Sequence, residues 1–165
     1  MIGYMLLIAG IVLFDQLVKY AAATQLTQLP GKTMEFIPGF MDFTYVENTG
    51  AAFNMFSGAT WILGVISLVL AGVIIYLMFR FKNIRSRLFM LALAFIAGGA
   101  LGNVVDRFFR GFVVDMLEFT FVDFAVFNVA DSFVSIGAVM LAVYIIWFWD
   151  KGKNKKEIAD GQPEE

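Results

Sequence analysis

Apolar residues run almost unbroken through four stretches of this chain, about residues 2–23, 59–79, 88–105 and 132–149, and polar residues collect between them. A bilayer core of ~30 Å takes about 20 helical residues at 1.5 Å each, so every stretch reads as a membrane-spanning helix. The first reads as a span and not as a cleaved leader. It has no basic start, the apolar run is long, and no small-x-small site precedes a soluble domain.

The intervening segments differ in character. Residues 24–58 contain Pro30-Gly31 and Pro38-Gly39 as turn signals, with strand-like runs between and after them. A small antiparallel sheet lying on the membrane surface is expected there, ending in a tight turn around Asn48 and Gly50. Within the second extracytoplasmic segment, residues 107–131, the run from Phe108 to Phe119 reads as a short amphipathic segment, helical and interfacial, with Phe112, Val113, Met116 and Phe119 against lipid or protein. The expected fold class is therefore a mainly α membrane protein. Four transmembrane helices form a single domain over 1–150, with a small extracytoplasmic β-sheet and a short interfacial helical segment. Residues 151–165 read as a charged, disordered cytoplasmic tail.

Composition agrees with the pattern. The chain is 60% hydrophobic and only 16% charged, with a mean hydropathy of +0.78, which is too apolar for a soluble domain. It has neither cysteine nor histidine. Disulfides, thiol nucleophiles, Ser-His-Asp triads and the usual zinc sites are thereby excluded. No carboxylate spacing suggests a metal, and no cofactor is expected.

The net charge of −2 says little, but its distribution says more. Eight of the twelve Lys and Arg lie in the 80–87 loop and the C-terminal tail. The positive-inside rule then puts both termini and that loop in the cytoplasm. The sheet, the Asn48 turn, Asp115 and the ends of spans three and four fall on the outer side, and so does Lys19. Polar groups from four parts of the chain thus converge on one interface, as expected for a site.

Acids at a lipid boundary are costly, and Asp106, Asp115 and Asp131 all lie near one. Asp15 and Lys19, four residues apart, can pair on one helix face, with Lys19 snorkelling outward. Asn103, Asp106 and Arg107 can act as polar glue between helices. Asn128 can cap the fourth helix or hold Asp131 in place. Two carboxylates brought close share a proton, so that one serves as base and the other as acid. Such a dyad hydrolyses an amide without His or Cys. Spacing alone leaves open whether Asp106 or Asp115 partners Asp131.

Five segments, in order, resemble the motifs of the bacterial lipoprotein signal peptidases (type II signal peptidases). They are Asp15-Gln16-x-x-Lys19, Asn48-Thr49-Gly50-Ala51-Ala52-Phe53, Gly102-Asn103-x-x-Asp106-Arg107, Val113-Val114-Asp115 and Phe127-Asn128-Val129-Ala130-Asp131-Ser132. The resemblance implies an aspartic endopeptidase of the bacterial cytoplasmic membrane, with its active site at the extracytoplasmic face and Asp115 and Asp131 as the catalytic dyad. It implies a diacylglyceryl-modified prolipoprotein as substrate, cut just before the lipidated cysteine, with membrane lipid as surroundings and globomycin-type cyclic peptides as inhibitors. No nucleic acid or metal takes part, and a monomer is expected. Asn48, Gly50, Asn103, Asp106, Arg107, Asn128, Ala130 and Ser132 would support the site or contact substrate, and Asp15 and Lys19 would stabilise its surroundings. Two departures are visible. Met116 stands where the family more often has Phe, and no proline precedes Phe127.

Two other readings use the same residues. Ser132 with Lys19 is a candidate Ser-Lys peptidase pair. Intramembrane carboxylates also suit a small transporter, although here they cluster at one surface.

Overall fold

A computed structural model describes residues 1–51, 55–83 and 86–159, with side chains through Trp147. Ala52 and Phe53 of the second motif, and Arg85 among the basic residues of the 80–87 loop, lie outside the described residues.

Four helices, α1 (Ile2–Gln25), α2 (Thr60–Arg80), α3 (Arg87–Phe109) and α4 (Val129–Ala159), carry apolar stretches long enough to cross a bilayer. Helix α3 is the hub. It packs against each of the other three. Half of its apolar window is buried inside the protein, against 22%, 17% and 11% for α1, α2 and α4, whose outer faces are left for lipid. Small residues make this possible. A Cβ on Gly99 would sit 2.3 Å from the Ala130 carbonyl oxygen, and one on Gly102 would sit 2.7 Å from a carboxylate oxygen of Asp15. Close approach at these two glycines brings α4 and α1 onto α3.

The extramembrane layer is one antiparallel sheet in the order β1 (Thr33–Ile37), β2 (Met41–Asn48), β3 (Val113–Phe119). The Pro38-Gly39 turn joins β1 to β2, with Gly39 at φ +71°, a conformation that suits glycine.

The segment expected as an interfacial helix is instead β3. Its apolar positions fit a helical stripe as well as a strand, and the open edge of β2 decides the matter by offering a ladder from Met41–Phe119 to Asn48–Val113. Alternation along β3 then sorts its side chains. Val114 and Met116 pack with Ala22, Leu26 and Tyr45, while Val113, Asp115 and Phe119 line a cavity on the other face. Met116 is fully buried, so an unbranched side chain fills the place expected for Phe.

Two further expectations change. Helix α4 begins at Val129, three residues earlier than the expected start at 132. It continues through Ala159, so most of the tail expected to be disordered is helical. The Lys, Glu and Ala in that run are good helix formers extending an existing helix, which needs no new nucleus.

Candidate active site

The site is built where α4 starts. Phe127 pairs across to Leu117 of β3: its N–H donates to the Leu117 carbonyl at 3.0 Å, and its own carbonyl accepts from Met116 and Leu117. This pairing anchors the strap before α4 although no proline stiffens it. It also sets the next residue, Asn128, beside Asp115.

Asn128 is the N-cap of α4. Its Oδ1 accepts from the Asp131 N–H at 2.9 Å, and its own N–H donates to Asp131 Oδ2 at 3.1 Å. The reciprocal pair satisfies backbone donors on both sides of the helix start. The expected choice between capping and holding Asp131 is therefore no choice, because one geometry does both. The Asn128 amide then points the other way and donates to Asp115 Oδ1 at 2.6 Å. Asp115 Oδ2 accepts from Asn48 Nδ2 at 3.0 Å. Asp131 Oδ1 accepts from Asn103 Nδ2 at 2.7 Å. Both carboxylates line one cavity of about 680 Å³, bordered by Asn48, Asn103, Arg107 and Ser132 among others.

Asp115 is 2% exposed, whereas Asp131 is only partly buried. Burial and the neighbouring charge of Asp131 push the Asp115 carboxyl up to about 6, against the opposing pull of its Asn48 and Asn128 donors and of Lys19.

The Asn48 turn is an Asx turn. Its Oδ1 accepts from the Gly50 N–H at 2.9 Å, and its Nδ2 also reaches the Ala51 carbonyl at 3.3 Å. Thr60 at the start of α2 holds the Thr49 carbonyl at 2.7 Å. Arg107 donates to the Gly50 carbonyl at 3.2 Å, binding the turn to α3. Arg107 thus bonds backbone carbonyls, those of Gly50 and of Asn103.

Behind the cavity lies a buried ionic cluster. Lys19 Nζ sits 2.9 Å from Asp15 Oδ2, 3.0 Å from Asp106 Oδ2 and 2.8 Å from Asn103 Oδ1. The pairing of Lys19 with Asp15 is as expected, but the snorkelling is not: Lys19 is wholly buried. Three acceptors inside the protein match the three donors of the ammonium, so burial leaves none of them unpaired. Asp106 also accepts from Arg110 at 2.8 Å and from the Val114 N–H at 3.1 Å. Asp15 Oδ1 takes the Ala130 N–H at 2.9 Å, so the α4 terminus is tied to α1. Gln16 bridges the Gly102 carbonyl and Asp106.

The structure therefore places Asp115, not Asp106, in the cavity with Asp131. Asp106 is occupied by Lys19, Arg110 and β3. Ser132 borders the cavity, but its hydroxyl donates to the Asn128 carbonyl at 3.1 Å, while Lys19 faces the ionic cluster. No Ser-Lys pair is assembled. Gln16 and Arg110 are two residues of the cluster to which the sequence assigns no role. Arg110 carried a signal, since it stands four residues after Asp106 on the same helix. Gln16 stands in the first motif, but its bonds to the Gly102 carbonyl and Asp106 cross to another helix and leave no mark in local spacing. Among the described residues no cluster of three or more acidic side chains is arranged to hold a metal ion.

A family model described as signal peptidase (SPase) II matches residues 7–147. The chain is 39% identical over 147 residues to a lipoprotein signal peptidase of Enterococcus faecalis, covering 88% of this chain and 89% of that one. It is 44% identical over 131 residues to a lipoprotein signal peptidase of Trichormus variabilis, covering 77% and 78%. Two solved structures described as bacterial membrane enzymes, determined by the in meso method, superpose with TM-scores of 0.79 and 0.77. They are 29% and 30% identical in sequence and cover 99% and 88% of this chain and 93% and 94% of their own.

Proposed function

The chain belongs to the signal peptidase II family, and from that premise we propose that it is a membrane aspartic endopeptidase acting on diacylglyceryl-modified prolipoproteins. The cut falls immediately before the lipidated cysteine. The observation that carries the reading is the convergence of Asp115 and Asp131, from a strand and a helix start, on the two ends of one asparagine side chain and backbone.

Asp115, with its raised titration point, is the proton holder, and Asp131 is the base. A water between them loses a proton to Asp131 as its oxygen bonds to the scissile carbonyl carbon. Asp115 gives its proton to the carbonyl oxygen. The tetrahedral intermediate then collapses: the C–N bond breaks, the cysteine nitrogen takes up the proton held by Asp131, and the hydroxyl proton returns to Asp115. Asn48, Asn103 and Asn128 keep the two carboxylates oriented through these exchanges.

The signal-peptide helix lies in the bilayer against the open flank of the cavity, and the acyl chains rest in lipid. A globomycin-type cyclic peptide would occupy the same cavity. The excess of Lys and Arg in the 80–87 loop and beyond residue 150 supports cytoplasmic termini and a site on the outer face of the bacterial cytoplasmic membrane. We take residues 1–150 as one membrane domain and the active species as a monomer.

Mass spectrometry of the products in detergent tests the reaction. A mature product beginning at the modified cysteine is expected, and cleavage at any other bond overturns the assignment.

A further inference from the structure

Lys19 touches neither the cavity nor its carboxylates, yet it holds the amide that does. Asn103 Oδ1 accepts from Lys19 Nζ at 2.8 Å and from Asn128 Nδ2 at 3.1 Å. A side-chain amide has two orientations, and turning Asn103 over would set its NH2 group against an ammonium and a second NH2 group. The orientation is therefore locked, and Asn103 Nδ2 must donate to Asp131 Oδ1, as it does at 2.7 Å. We propose that Lys19 is a positioning residue for the proposed hydrolysis: by locking the Asn103 amide, it keeps a hydrogen-bond donor on the Asp131 carboxylate throughout turnover.

The proposal rests on Asp115 and Asp131 as the dyad. It adds that the ionic cluster behind the cavity does more than hold helices together. Of its members, Lys19 alone grips the Asn103 side chain; Asp15 and Asp106 hold Lys19, and Arg110 holds Asp106. Without the ammonium, only the Asn128 NH2 group holds the Asn103 oxygen, so the lock weakens and the donor on Asp131 is held less firmly.

The test is steady-state cleavage of a diacylglyceryl-modified prolipoprotein in detergent, normalised to folded enzyme. Lys19→Met removes the charge but strands Asp15. In Lys19→Met/Asp15→Asn the cluster stays balanced, since Asp106 retains Arg110 and an amide oxygen at position 15 can still accept from Ala130. Because Lys19 does not line the cavity, KM stays at the wild-type value while kcat falls roughly 10- to 100-fold, the usual effect of losing a partner that orients a reacting group. Lys19→Arg, which keeps the charge and its donors, recovers part of kcat. A purely structural role lowers the folded fraction and leaves kcat per folded enzyme unchanged, and that result overturns the proposal.

A measurement on the wild type stands apart from whether these variants fold. With asparagine labelled in the side chain, the Asn103 NH2 resonances must follow the titration of the dyad; resonances indifferent to it overturn the proposal. If Asp115→Asn or Asp131→Asn retains turnover, the dyad reading itself has failed. If both are inactive and the Lys19 variants keep the wild-type kcat, only the role of Lys19 has failed.

Discussion

Asn128 donates to Asp115 Oδ1 at 2.6 Å with the same side chain whose oxygen caps the Asp131 N–H at 2.9 Å. One residue thereby fixes the spacing of two carboxylates that arrive from different elements. Asn128→Ala removes the cap on the Asp131 N–H, leaves Asp115 one donor short and takes a donor from Asn103 Oδ1, the amide that holds Asp131. The expected loss is about 1–2 kcal/mol of stability from the cap, read as a lower Tm, together with a fall in kcat of roughly 100-fold or more. Wild-type turnover in this variant contradicts the role given to Asn128.

The second prediction concerns titration. Burial and Asp131 raise Asp115 from 3.8 to about 6. With its folded value above its unfolded one, the group contributes stability that is fully present below about 4 and is lost as pH rises through about 6. Infrared difference spectra of enzyme with isotope-labelled aspartate should show a carboxyl band vanishing near pH 6. Asp131→Asn removes the neighbouring negative charge and moves that transition to lower pH. A transition unmoved by Asp131→Asn means that the two groups do not interact.

Asp106 and Asp115 separate by stability. Asp106→Asn withdraws a carboxylate from two cations, Lys19 and Arg110, in a buried cluster. Breaking such a pairing costs about 3–5 kcal/mol, so a large fall in Tm is expected. Asp115→Asn removes no ion pair and is expected to remain folded without activity. The reverse ordering of the two Tm values contradicts the division of roles between these acids.

Gly99→Ala tests how the packing of α3 and α4 positions the site. The new Cβ would lie 2.3 Å from the Ala130 carbonyl and 2.8 Å from the Val134 side chain, so α4 must move away. Overpacking of this kind costs about 1–3 kcal/mol. Because Asp131 is one residue past Ala130, kcat should fall along with Tm. A fall in Tm with unchanged kcat means that α4 shifts without carrying the carboxylate.

Much of this architecture was legible in the pattern of apolar and polar residues. Long apolar runs in lipid have one stable backbone solution, the helix, so the spans needed no tertiary information. The segment 113–119 was different. Val113, Met116 and Phe119 suit an interfacial helix, and only the unpaired edge of β2, which is remote in sequence, makes the strand the better solution. The same limit applied to Lys19. Position near a helix end suggests a side chain reaching for water, but Asp106 and Asn103 on α3 supply acceptors inside the protein. For Asp106 and Asp115, spacing could not choose. The distinction depends on which face of β3 turns toward the cavity, and the pairing with β2 settles that. Asn128 was the reverse case, because a cap type three residues before an acid at a helix start already contains the contact that the structure realises.

The most direct measurement is a gel-shift cleavage assay in detergent, with diacylglyceryl-modified prolipoprotein run beside the unmodified form. Wild type, Asp115→Asn and Asp131→Asn are compared at equal amounts of folded protein. Cleavage of the lipidated substrate alone by wild type, lost in both variants, is the predicted result. Full turnover by either variant contradicts the dyad, and equal cleavage of the unmodified form contradicts the proposed substrate.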